Sequence, residues 1–114
     1  MSQSVAGHRI VTLCMNPALD ITTSTESVRP TDKLRCAAAR YDPGGGGINV
    51  AHVADALGAR SAAVFPAGGP AGELVNNLLV AEGLAVHRIP IGGATRESVT
   101  VNELSTERQY RFVL

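Results

Sequence analysis

Between Arg9 and Ile91 three short apolar runs alternate with two helical repeats, and that order leaves few architectures open. Arg9 to Met15, Ser61 to Phe65 and Ala85 to Ile91 are too short for helices and read as short strands, the first of them buried. A helix is predicted over about residues 47–57, where Val50, Val53, Ala54 and Leu57 fall at i, i+3, i+4 and i+7 and Gly58 closes the pattern. A second is predicted over about 71–82, with Ala71, Val75, Leu78 and Leu79 on one face. Strand, helix, strand, helix, strand implies parallel strands joined by right-handed crossovers, hence an α/β fold with helices flanking a parallel sheet.

A second kind of pattern surrounds this unit. Asn16-Pro17-Ala18 breaks the first strand and leaves Asp20 just beyond its end. Residues 21–41 are threonine-rich, then polar, then alternate around Leu34, Cys36 and Ala38, which predicts two exposed strands joined at Pro30-Thr31-Asp32. Glu97 to Leu104 and Gln109 to Leu114 alternate with period two about the polar turn Ser105-Thr106-Glu107-Arg108, a hairpin pattern. The chain stops inside that last predicted strand. Parallel sheets are covered on both faces and need more strands than these, so the expectation is the N-terminal piece of a longer protein.

The clearest functional signal is Gly44-Gly45-Gly46-Gly47, placed against the start of the first helix. Glycine reaches φ > 0 cheaply, and the first amides of the helix are unpaired at its positive end, so an anion or a hydroxyl-rich ligand fits there. The dinucleotide fingerprint fails in both registers, because the third glycine is replaced by Asn49 or Val50. The phosphate loop of nucleotide hydrolases fails too, since Gly47 is followed by Ile48. A smaller substrate, met by backbone amides and by the Asn49 side chain, is the better fit.

Composition narrows the partners. Ten Lys and Arg balance ten Asp and Glu, which recommends neither nucleic acid nor an anionic membrane. The N-terminal MSQSVAGHRI lacks an apolar signal core, and no apolar run approaches the ~20 residues of a membrane helix, so the reducing cytosol is the expected compartment. Cys14, Cys36, His8, His52 and His87 show no metal-ligand spacing, and His52 and Asp55 read as solvated on the polar helix face.

The string Pro43-Gly44-Gly45-Gly46-Gly47-Ile48-Asn49-Val50-Ala51 resembles the first signature of the ribokinase-like sugar kinases, the PfkB carbohydrate kinases. Before it, Asn16-Pro17-Ala18-Leu19-Asp20 resembles the family's sugar-anchoring aspartate segment and Lys33-Leu34-Arg35-Cys36 the lid strand preceding the glycines; after it, Phe65-Pro66-Ala67-Gly68-Gly69 and Gln109-Tyr110-Arg111-Phe112-Val113 match later landmarks in order and spacing, so the resemblance covers residues 9–114. It is greatest to the minor-type 6-phosphofructokinases. The 1-phosphofructokinases and tagatose-6-phosphate kinases usually carry Gly-Lys-Gly-Ile-Asn where this chain has Gly45-Gly46-Gly47-Ile48-Asn49, which ranks them second.

The resemblance implies transfer of the ATP γ-phosphoryl group to the C1 hydroxyl of fructose 6-phosphate. It implies a ribokinase-like fold whose small β lid comprises about residues 21–41 and 96–114. Asp20 would anchor sugar hydroxyls with its two oxygens, Gly44 and Gly45 would let the backbone meet the sugar, and Asn49 would add a hydrogen bond. Lys33, Arg96 and Arg111 match positions that contact substrate and could neutralise a phosphate dianion, with Arg35 a weaker candidate. The catalytic base of the family lies in a Gly-Ala-Gly-Asp segment that does not occur here, and the sites for ATP and Mg²⁺ lie beyond residue 114. The chain alone is therefore expected to hold neither and to be inactive. A homodimer through the lid, whose open edges need cover, is also implied. A non-catalytic sugar-phosphate-binding module is the reading from a different class.

Overall fold

The computed structural model describes residues 6–114, so the part of the signal-peptide reading that falls on residues 1–5 lies outside the described residues. The elements run β1 (Arg9–Leu13), β2 (Ala18–Thr25), β3 (Arg40–Gly44), α1 (Gly46–Ala56), β4 (Arg60–Ala67), α2 (Gly69–Ala81), β5 (Ala85–Pro90), β6 (Arg96–Glu103) and β7 (Gln109–Val113).

The three apolar runs form the expected parallel sheet, in the order β1-β4-β5. Strand alternation sends Thr12, Cys14, Ser61, Ala63, Phe65 and Ala67 to one face, where they are buried beneath both helices. Ile48, Phe65, Val75 and Leu79 are the largest fully buried side chains, each contributing about 1.5–3 kcal/mol by leaving water. His52 Nε2 lies 2.6 Å from Glu82 Oε2, so His52 stands against the end of α2 rather than free in solvent. The other face of the sheet is bare. Val11, Leu13 and Met15 there are 71%, 61% and 70% exposed.

The first helix forms where its spacing predicts, yet its stripe is split. Ile48, Ala51 and Ala54 face the sheet, while Val50, Val53 and Leu57 point outward and, with Ile10, line an apolar groove of about 410 Å³. Ala51 and Ala54 on the inner side let α1 approach the sheet closely beside Ile48, while Val50, Val53 and Leu57 occupy the outside. In α2 the buried residues are Ala71, Gly72, Val75 and Leu79, with Leu78 partly buried, close to the expected face.

A second, mixed sheet has the order β3-β2-β6-β7, with β2 parallel to β6 and both outer pairs antiparallel. The β6–β7 hairpin falls where alternation predicts. The other pair differs from expectation in two respects. The first strand begins at Ala18 rather than near residue 21, so Asp20, past the end of β1 as expected, lies inside β2, and the second strand is displaced to Arg40–Gly44. Residues 33–39 run beside β2 without forming a ladder. One backbone bond, from the Ala37 N–H to the Ser24 carbonyl at 2.9 Å, joins them, and the hydroxyls of Thr23 and Thr25 donate to the carbonyls of Ala37 and Arg35 in place of further ladder bonds.

Candidate functional site

The register of the second sheet decides which side chains meet. Ala18 lies opposite Gly44 and Arg96, Asp20 opposite Asp42 and Ser98, and Thr22 opposite Arg40 and Thr100. Ser98, Thr100 and Asn102 in turn face Val113, Arg111 and Gln109. Directly opposed residues share a face, so this parity collects Asp20, Thr22, Arg40, Asp42, Ser98, Thr100, Asn102, Gln109 and Arg111 on one side of the sheet, while Thr23, Thr25, Glu97 and Glu103 fall on the other. The other side carries Leu19, Ile21, Val99, Val101, Tyr110 and Phe112, and at its root Leu19 and Ile21 join the core.

The polar face forms an open cleft of about 380 Å³ lined by Asp20, Thr22, Arg40, Asp42, Ser98, Thr100, Asn102, Gln109 and Arg111, with Val99 and Val113 as its apolar members. Of the residues singled out by sequence, Asp20 and Arg111 lie within it. Arg96, one alternation step from Ser98, lies beside the cleft rather than in its lining and opens on two neighbouring pockets with Asn16, Pro70 and Thr95; its Nη2 donates to the Asn16 carbonyl at 3.2 Å and its buried Nε has no partner among the described residues. An unpartnered guanidinium nitrogen there is suited to an anion.

The glycine run is shaped by the chain as much as by a ligand. A Cβ at Gly44 would lie 2.2 Å from Asp20 Oδ2, so the bare Cα makes room for that carboxylate. Gly45 has φ 125° and lies over Cys14 Sγ, which a Cβ would approach to 2.5 Å. Gly47 is pressed on the Leu13 carbonyl, whereas a Cβ at Gly46 would meet nothing. No side chain caps α1, leaving its first amides directed out of the helix beside Asp20 and Gly44.

Three candidates stand apart. Asn49, in the first turn of α1, opens on the apolar groove with Val50 and Val53 rather than on the polar cleft. Lys33 lies in the exposed segment between β2 and β3 and lines neither cavity, as does Arg35. That segment is tethered at its start by Glu103, a buried carboxylate at the end of β6 that accepts the Val28 N–H at 2.6 Å and the Thr106 hydroxyl. The Thr106 and Val28 hydrogen bonds hold the Glu103 carboxyl below its ordinary pKa.

Burial pushes the Asp20 carboxyl above the usual carboxylate range; Arg96 and Arg111 oppose the shift and Asp42 adds to it. Arg40 Nε stands 2.8 Å from Asp42 Oδ2 and offsets part of that repulsion. The cleft thus offers acceptors for hydroxyls on β2 and β3 and cations for an anion on β6 and β7. Asp42, Arg40, Ser98 and Asn102 belong to no sequence motif, but the period-two alternation through Asp20, Gly44 and Arg96 reaches each of them. Among the described residues no three His, Cys, Asp or Glu converge as a metal site, and no helix is long and apolar enough to cross a membrane.

The chain matches the pfkB family carbohydrate kinases over residues 11–114. It is 62% identical over 106 residues to an ATP-dependent 6-phosphofructokinase isozyme 2 of Mycobacterium tuberculosis, an alignment covering 93% of this chain and 31% of the relative. In structure it resembles phosphofructokinase-2 from Escherichia coli in complex with fructose-6-phosphate, with TM-score 0.88, 43% identity and coverage of 94% of this chain and 35% of that one. The tetrameric inhibited form of the same Escherichia coli protein matches with TM-score 0.86, 43% identity and the same coverage, 94% and 35%. The chain spans about a third of the length of these relatives.

Proposed function

The chain belongs to the pfkB family of carbohydrate kinases, and we propose that it is the N-terminal, sugar-binding part of a kinase that phosphorylates the C1 hydroxyl of fructose 6-phosphate with ATP. The observation that carries this reading is the polar face on which Asp20, seated against Gly44, is flanked by the cations of Arg96 and Arg111. A carboxylate accepts hydrogen bonds from two hydroxyls at once and fixes a sugar's orientation, while guanidinium groups match a phosphate dianion. Holding the acceptor hydroxyl in one orientation is what phosphoryl transfer most needs from the sugar side.

Residues 1–114 supply the parallel half-sheet, α1, α2 and the β lid, and the nucleotide-binding half follows in the longer kinase. The bare face of Val11, Leu13 and Met15 supports this division, because a parallel sheet is ordinarily covered on both sides. MgATP, held by that second half, supplies the γ-phosphoryl group; Asp20, Gly44, Gly45 and Asn49 orient the sugar, and Lys33, Arg96 and Arg111 hold its phosphate. Lys33 and Asn49 would join the cleft as the exposed β2–β3 segment and the second half close around the ligand.

The outer face of the lid, with Ile21, Val99, Val101, Tyr110 and Phe112, supports pairing of two lids in a homodimer; Phe112 is 58% exposed. The test is a coupled assay of the full-length kinase with MgATP and fructose 6-phosphate, fructose 1-phosphate or tagatose 6-phosphate. Highest kcat/KM on fructose 6-phosphate is expected, with no turnover above a buffer blank for residues 1–114 alone. Preference for either other sugar, or turnover by the short chain, would overturn the assignment.

A further inference from the structure

The geometry points to Asp42 as a second carboxylate of the sugar cleft, accepting a hydroxyl beside Asp20, with Arg40 as the residue that positions it. This rests on the reading that Asp20 holds the sugar. Asp42 lies directly opposite Asp20 across the β2–β3 ladder, on the same face, and both line the one cleft. Opposed residues on an antiparallel pair have Cβ atoms about 5 Å apart, close enough for two carboxylates to reach neighbouring hydroxyls of one sugar.

Like charges so placed destabilise a sheet, and a chain without use for the second acid would gain by replacing it. Here the repulsion is retained and managed. Arg40, two residues along β3 and on the same face, places Nε 2.8 Å from Asp42 Oδ2 and leaves the other carboxylate oxygen, Oδ1, for a ligand. The remaining charged groups facing Asp20 are Arg96 from β6 and Arg111 from β7. The acids therefore gather on β2 and β3 and two of the cations on β6 and β7, an order that gives the sugar phosphate one direction in the cleft.

The charge of Asp42 also disfavours ionisation of Asp20, so its removal lowers the Asp20 pKa. In the full-length kinase, Asp42→Asn is expected to raise KM for fructose 6-phosphate about tenfold with kcat nearly unchanged, the size of one lost charge-assisted hydrogen bond. The acid limb of kcat/KM is expected to move to lower pH. Arg40→Gln, at a side chain 75% exposed and so safe for folding, unmasks the Asp42 charge and moves the same limb to higher pH. A KM within twofold of the parent in Asp42→Asn, or a limb that neither variant moves, overturns the proposal. Asp20→Asn separates the two readings: if it leaves kcat/KM intact the sugar site is misplaced, and if it abolishes activity while Asp42→Asn is neutral, this inference alone fails.

Discussion

Gly44→Ala puts the smallest side chain at the point where the structure has least room for it. The new Cβ would lie 2.2 Å from Asp20 Oδ2 and 2.8 Å from its Cγ, against 3.4 Å for ordinary contact, so the carboxylate must retreat by about 1 Å. A displacement of about 1 Å in a positioning group costs about 10²-fold in rate, or about 2.7 kcal/mol. The assay is kcat/KM for fructose 6-phosphate in the full-length kinase. Gly46→Ala, whose Cβ meets nothing, serves as the neighbouring control and is expected to stay near the parent value. In an Asp20→Ala background Gly44→Ala should cost little more, because the group it displaces is gone. A Gly44→Ala enzyme within threefold of the parent, or an equal loss with and without Asp20, would refute the claim that this glycine exists to seat the carboxylate.

Other outcomes follow from the same structure. Phe65→Ala, at a side chain 0% exposed in the core between sheet and helices, should destabilise by about 3–5 kcal/mol in denaturant unfolding. Glu103 has a depressed pKa in the folded state, so its contribution is complete above its ordinary value of 4.5 and is lost as pH falls through the folded value. Glu103→Gln should accordingly flatten the acid side of a stability-against-pH curve, and identical slopes would contradict the role given to its hydrogen bonds. Phe112→Asp, on the outer lid face, should shift the kinase toward monomer in light scattering without moving the melting temperature much; an unchanged assembly would exclude this face as the interface.

The scaffold was legible where one periodicity dominated. Ser61 to Phe65, Ala85 to Ile91 and the α2 stripe carry unmixed patterns and fold as those patterns predict. Helix α1 has apolar residues on two sides, and no periodicity says which side meets the sheet; Ala51 and Ala54 prevail because they allow close approach. The lid was harder. Thr22, Thr23, Ser24 and Thr25 are polar on both faces, so alternation does not mark β2, and threonine hydroxyls hold 33–39 out of the ladder where Leu34, Cys36 and Ala38 suggested a strand.

The motif residues Gly44 and Arg96 both lie opposite Ala18, one alternation step from Asp20, whereas Lys33 and Asn49 lie outside the cleft. Asp42 was invisible to motif because its significance is relational. It acquires a role only when β3 is paired with β2, and that pairing is a property of the sheet rather than of the string Arg40-Tyr41-Asp42.

The sugar-binding claim is tested most directly by hydrogen–deuterium exchange on the full-length kinase with and without fructose 6-phosphate. The largest protection is expected in peptides covering residues 18–25, 40–49, 96–103 and 109–113, the strands and helix start that frame the polar cleft. Protection confined to residues 69–90, with the lid strands unchanged, would contradict it.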